Sequence, residues 1–199
     1  MLLDVVNALP EFLQDSYFEE YSYSLANMEF INNRQAYLVD FEPVSKRSTA
    51  KYIGRMYFDA ESMALVAAEF SVADYKLKDE SKNMVTKLSR HTRAETKNAS
   101  YHVNYINRNG TYTLQHVRLN AAFKVFYKTK AFPANFNTVC ELAITDLNED
   151  AEKLRVKEHI PINHIFFDQA FGYDPQYWGS LNIIKPDEKL QDAMQKTMK

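Results

Sequence analysis

The residues best able to do chemistry in this chain of 199 residues are five histidines, one cysteine and a few strand-borne carboxylates, and their spacing argues against a catalytic centre. His102 and His116 flank Asn109-Gly110, the pair that most strongly favours a two-residue hairpin turn. With that loop His102 pairs with Val117 and His116 with Val103, which puts the imidazoles on opposite faces. A three-residue loop would set them face to face. The two-residue register also gathers Tyr101, Val103 and Tyr105 with Tyr112 and Leu114 on one face, so it is preferred and the histidine dyad is lost. His159 and His164 are separated by Pro161, which stops a continuous helix from presenting both, and on a strand they would point to opposite sides. Cys140, in an alternating apolar run, reads as a buried small hydrophobe. A single cysteine can supply neither an internal disulfide nor a cysteine-based zinc site. Asp40 and Glu42 share one face of a strand and could form a carboxylate pair, but the odd-numbered neighbours carry the core, so the two acids are expected to face solvent. No nucleophile elbow and no phosphate-binding glycine loop occurs. The expectation is a protein without catalytic residues, metal or cofactor. A hydrolase whose site is assembled only by the fold is the enzymatic alternative.

The elements that must position these residues are strands. Tyr37, Val39 and Phe41 recur with period two, as do Tyr52, Met56 and Phe58, and Asp59-Ala60-Glu61-Ser62 separates them from a further run over residues 63–72. Upstream, Ala26, Met28 and Phe30 alternate with Asn27 and Glu29 before Asn32-Asn33, two residues tolerant of positive φ. Pairing Ile31 with Arg34 sets Ala26, Met28 and Phe30 opposite Val39, Tyr37 and Gln35. Residues 64–72 are small and apolar on both faces and read as a central strand. The sheet resumes at residues 99–107 and 111–128, the latter long enough to predict a bend near Asn120 or two joined strands. Residues 137–146 form another strand. Helix is expected at residues 2–18, broken at Pro10; at 79–93, capped by Asp79 or Ser81; and at 186–198, opened by Pro186. The resulting fold class is mainly β (α+β): a strongly curved antiparallel sheet or half-barrel of roughly eight or more strands with a few covering helices.

Bulk composition narrows the partners. Lys and Arg number 24 against 26 Asp and Glu, so no global field draws nucleic acid or an anionic membrane. One local exception is residues 76–97, where seven Lys and Arg face three acids; this is either a solvated helix face or a patch for phosphate or lipid head groups. Tyr and Phe, 13 each, outweigh four glycines, which suits aromatic-rich strands. No Pro/Gly/Ser-rich linker divides residues 1–199, so a single domain is expected. No run approaches the roughly 18 apolar residues of a spanning helix, and no signal sequence is visible.

Leu9-Pro10-Glu11-Phe12-Leu13, Phe41-Glu42-Pro43, Gly54-Arg55-Met56-Tyr57-Phe58-Asp59 and Tyr177-Trp178-Gly179 to Pro186 together resemble the uncharacterised region of carboxypeptidase-like regulatory-domain envelope proteins of Bacteroidetes. The resemblance spans most of the chain in strand, turn and loop motifs, and it does not imply peptidase activity. In outline the arrangement is also similar to periplasmic lipoprotein-carrier folds. These resemblances imply a periplasmic or cell-envelope setting and an excised part of a longer exported protein.

On this reading the concave sheet face is expected to bind an apolar or amphipathic ligand, a lipid or lipoprotein-like molecule, through Met28, Phe30, Tyr37, Val39, Phe41, Met56 and Phe58. Trp178 joins them from an aromatic-rich stretch near the C-terminus. The alternative occupant of that face is ordinary core supplied by Leu9, Phe12, Leu88 and Leu190. The competing function is a protein-interaction module that docks an envelope partner through a sheet edge or the aromatic stretch.

Overall fold

The structure, a computed structural model, describes residues 4–31, 33–85, 87–145 and 147. The chain divides into two compact units, Leu2–Leu142 and a second made of Met1 with Ala143–Lys199. The first contains nearly all the described residues. The predicted segments around His159, Trp178 and Pro186 lie outside them.

Seven strands follow one another in space as they do in sequence: β1 (Tyr21–Ile31), β2 (Arg34–Pro43), β3 (Tyr52–Asp59), β4 (Leu65–Val72), β5 (Thr92–Arg108), β6 (Thr111–Tyr127) and β7 (Ala134–Ala143). The sheet is antiparallel and open, with β1 and β7 at its edges among the described residues. The strand count over these residues is seven, below the eight expected. Two short 3-10 turns, Glu11–Leu13 and Asp15–Glu20, precede β1, and a third, Asp74–Lys76, leads into α1 (Leu77–Met84).

The turn between β5 and β6 behaves as its residues require. Asn109 and Gly110 have φ of 53° and 90°, and Arg108 pairs with Thr111 across them. This double positive φ is the backbone twist that a two-residue hairpin needs. Ile31 pairs with Arg34, Met28 with Tyr37 and Phe30 with Gln35, as expected. Ala26 departs from expectation because a register shift between Leu25 and Met28 sets Leu25 opposite Val39.

Further bulges were not foreseeable from alternation. Between β5 and β6, Tyr105 pairs with Leu114 but Asn104 pairs with His116, so Gln115 is an extra residue. This overturns the predicted pairing of the histidines. His102 lies opposite Arg118, and His102 and His116 are diagonal neighbours on one face. A second bulge at Lys97, between Thr96 and Asn98, accommodates the twist of the long β5–β6 ribbon. Strand β6 therefore runs unbroken past Asn120, and the irregularities fall at Lys97 and Gln115.

The inner face is aromatic. Phe12 from the first 3-10 turn is 2% exposed, stacks on Phe41 and meets Phe70 edge-on. Gly54 makes this packing feasible. A Cβ there would lie 2.2 Å from the Glu69 carbonyl oxygen and 2.6 Å from Phe70 Cα, so β3 and β4 approach too closely for any side chain. A smaller cluster of Ala36, Leu38, Tyr57, Val66 and Ala67 is also buried.

The helix between β4 and β5 begins two residues earlier than predicted and ends at Met84, and residues 92 and 93, expected to be helical, belong to the ladder of β5. Ser81 does not cap it. Its hydroxyl donates to the Leu77 carbonyl at 2.9 Å and accepts the Thr96 N–H at 2.8 Å, so Ser81 ties helix to strand. Cys140 is exposed, contrary to expectation. Alternation assigns a side of the strand but not whether that side is covered.

Candidate functional site

The residues expected to line a ligand site divide along the sheet. Phe41 and Met56 are core, at 2% and 3% exposure. Val39 and Phe58 are partly buried against the same cluster, and Tyr37 is half-buried. Met28 and Phe30 lie exposed near the tip of β1. Trp178 is outside the described residues. Phe12 fills the centre of this face, whereas Leu9 and Leu88 remain about half exposed.

Farther along the inner face lies open volume. The bulge at Lys97 brings Thr96 and Ala94 to the side that carries Ala99 and Tyr101. Helix α1 packs over this part of β5, and between them is a cleft of about 790 Å³. Its apolar lining comes from Leu77, Val85, Leu88 and Ala94, and its charged lining from Lys78, Lys82, Arg93 and Lys97 with Asp74 and Glu95. Glu95 is occupied, 2.8 Å from Lys97 and 3.2 Å from Arg93, and these contacts, led by the Lys97 hydrogen bond, hold its carboxyl below the usual range. Arg93 also lies over the Phe126 ring at 4.4 Å. Among the described residues, Lys78 and Lys82 have no ion-pair partner.

Thr96 distinguishes this cleft from a surface dent. The residue is 3% exposed, and its Oγ1 is buried without a hydrogen-bond partner among the described residues. Buried hydroxyls are normally satisfied, and Thr96 also belongs to the lining of this cleft. The basic stretch of residues 76–97, read from sequence as either a solvated helix face or a head-group patch, covers this region; the Thr96–Ser81 hydrogen bond that ties its two walls together depends on the fold.

A smaller cleft of about 370 Å³ includes Ile31, Arg34, Asp59, Ile106 and Tyr112 in its lining. Arg34 Nε donates to Asp59 Oδ2 at 2.5 Å and Nη2 to Oδ1 at 3.3 Å. Asp59 Oδ1 also accepts the Glu61 and Ser62 N–H groups and the Ser62 hydroxyl. These bonds, the Arg34 bond first, hold the carboxyl far below its ordinary range. The Tyr112 hydroxyl is buried nearby without a hydrogen bond of sound geometry. With both charged partners committed to each other, this arrangement serves the turn, not a ligand.

On the opposite sheet face Asp40 faces Arg55 at 3.6 Å and Glu42 is exposed, as expected of solvent-facing acids. His102 Nδ1 is 3.4 Å from Glu69. Among the described residues, no group of three or more His, Cys, Asp or Glu could hold a metal ion, and no helix is long and apolar enough to cross a membrane. In comparisons with known proteins, no family model, no curated protein and no solved structure matches the chain.

Proposed function

We propose that this is a non-catalytic domain that holds an apolar or amphipathic ligand on the inner face of its sheet, in the cleft between α1 and β5. The observation that carries the reading is a cleft of about 790 Å³ with apolar walls and a buried, unpaired Thr96 hydroxyl. Ligand sites of roughly 300–1,000 Å³ combine such apolar linings with a few placed polar groups. The rings around Phe12 make the middle of the same face core, so the ligand lies near the start of β5. A cell-envelope setting and a lipid-like ligand accord with the resemblances noted above.

Native mass spectrometry after incubation with a lipid extract, together with titration of a fluorescent fatty-acid probe, tests the reading. Saturable binding is expected, and it should be lost in Val85→Glu and Leu88→Glu, which place charge in the cleft. Absence of saturable binding by any amphiphile would sink the proposal.

One observation favours a second reading as a protein-interaction module. Edge strand β1 exposes Leu25, Met28 and Phe30 at 69%, 47% and 72%. Exposed apolar edges invite pairing. Pull-down of a protein partner by this chain, abolished by Phe30→Lys with the probe titration unchanged, would support docking over ligand binding.

A further inference from the structure

We infer that the α1–β5 cleft selects an anionic head group, a carboxylate or phosphate borne on an apolar chain. This rests on the amphiphile-binding reading above and specifies its ligand. Lys78 and Lys82 stand one turn apart on α1, a spacing that places side chains on the same face of a helix. Ser81 lies between them, and its Oγ is 2.8 Å from the Thr96 backbone nitrogen. Thr96, whose hydroxyl has no hydrogen-bond partner among the described residues, is therefore tied through its backbone to the turn of α1 that carries both lysines. Glu95 cannot neutralise those lysines while Lys97 and Arg93 engage it. Asp74, the other acid of the lining, precedes α1 by three residues and leaves the cleft with a basic excess.

The chemistry of these groups favours one ligand class. A carboxylate or phosphate oxygen accepts from the Thr96 hydroxyl and is attracted by two ammonium groups, and such charge-assisted bonds are stronger than neutral ones. Leu77, Val85 and Leu88 offer the attached chain an apolar wall. A cationic head group would meet two unpaired lysines, so it is rejected by the same feature that attracts an anion.

Displacement of the fluorescent fatty-acid probe from the full chain tests this, using hexadecanoate, hexadecyl phosphate, hexadecanol, hexadecylamine and inorganic phosphate as competitors. The two anionic amphiphiles should displace the probe at concentrations about tenfold lower than the alcohol, each tenfold being one decade of affinity. The double variant Lys78→Ala, Lys82→Ala should remove that preference, with the two anions losing about tenfold more affinity than the alcohol does. Thr96→Val should weaken anion binding while melting no lower than the parent, since the hydroxyl it removes makes no hydrogen bond among the described residues. Equal displacement by alcohol and anion, or an unaltered preference in the lysine variant, would overturn anion selection while leaving amphiphile binding standing. Inorganic phosphate acting as well as hexadecyl phosphate would show a site for the free anion and overturn the proposed ligand. If Thr96→Val melts lower with anion binding intact, the role assigned to Thr96 falls. If the probe itself fails to bind, the parent reading falls instead.

Discussion

Phe12 and Phe41 stack with ring centroids 4.2 Å apart and planes 23° from parallel. This contact joins the N-terminal segment to the second strand and makes the middle of the inner face core. Phe12→Ala should cost about 3–5 kcal/mol, as expected for a buried phenylalanine removed from a packed site. A lowered urea midpoint would register the loss. An unchanged midpoint would mean that Phe12 is not part of the core.

Gly54→Ala should destabilise, reversing the usual small gain from restricting the unfolded chain. That gain is about 0.4–1 kcal/mol where the native backbone accepts a side chain. Here the new Cβ would fall 2.2 Å from the Glu69 carbonyl oxygen, so β3 and β4 must part. A cost of about 2 kcal/mol or more is expected from overpacking of this kind. Thermal unfolding of the variant beside the parent measures it, and equal melting temperatures would contradict the close approach.

Asp59 should make stability depend on acid. Its hydrogen bond and charge pair with Arg34 and its bonds from Ser62 lower the folded-state pKa below the ordinary 3.8. A group depressed in the folded state stabilises fully above its unfolded pKa, and that contribution shrinks as pH falls through 3.8 toward the folded value. Asp59→Asn should be about 2 kcal/mol less stable at pH 7, the scale of a lost charged hydrogen bond. Its stability should converge on that of the parent in strong acid. Urea midpoints of both proteins at pH 7, 4 and 3 check the sign; a gap that widens on acidification would refute it.

Lys51 Nζ lies 3.0 Å from both Glu11 and Glu80, and so links β3 to the N-terminal turn and to α1. Burial alone would lower its pKa, but the two carboxylates outweigh that and raise it. Lys51→Met would leave two mostly buried acids unpaired. Because Lys51 retains some exposure, a loss of about 1–2 kcal/mol is expected, below the range for fully buried pairs. Hydrogen exchange should quicken in α1 more than in β5; protection unchanged in α1 would show that the helix is held by other contacts.

Much of this architecture is written in local pattern. Period-two alternation is a property of neighbouring residues, so strands, hairpins and the Ile31–Arg34 register follow from it. Asn109-Gly110 supplies positive φ by its own chemistry, and Asp59 reaches its turn amides over two or three residues. The bulges at Lys97 and Gln115 have no such local signature. They arise where a long twisted ribbon must satisfy its neighbours, and each one shifts which side chains share a face. That is why His102 and His116 come to one face and why Thr96 turns toward α1. The alternation of residues 35–58 likewise marks an apolar surface without saying what covers it. Phe12 covers its centre from about 30 residues upstream of Phe41, a contact set by the path of the chain and not by either segment's own pattern.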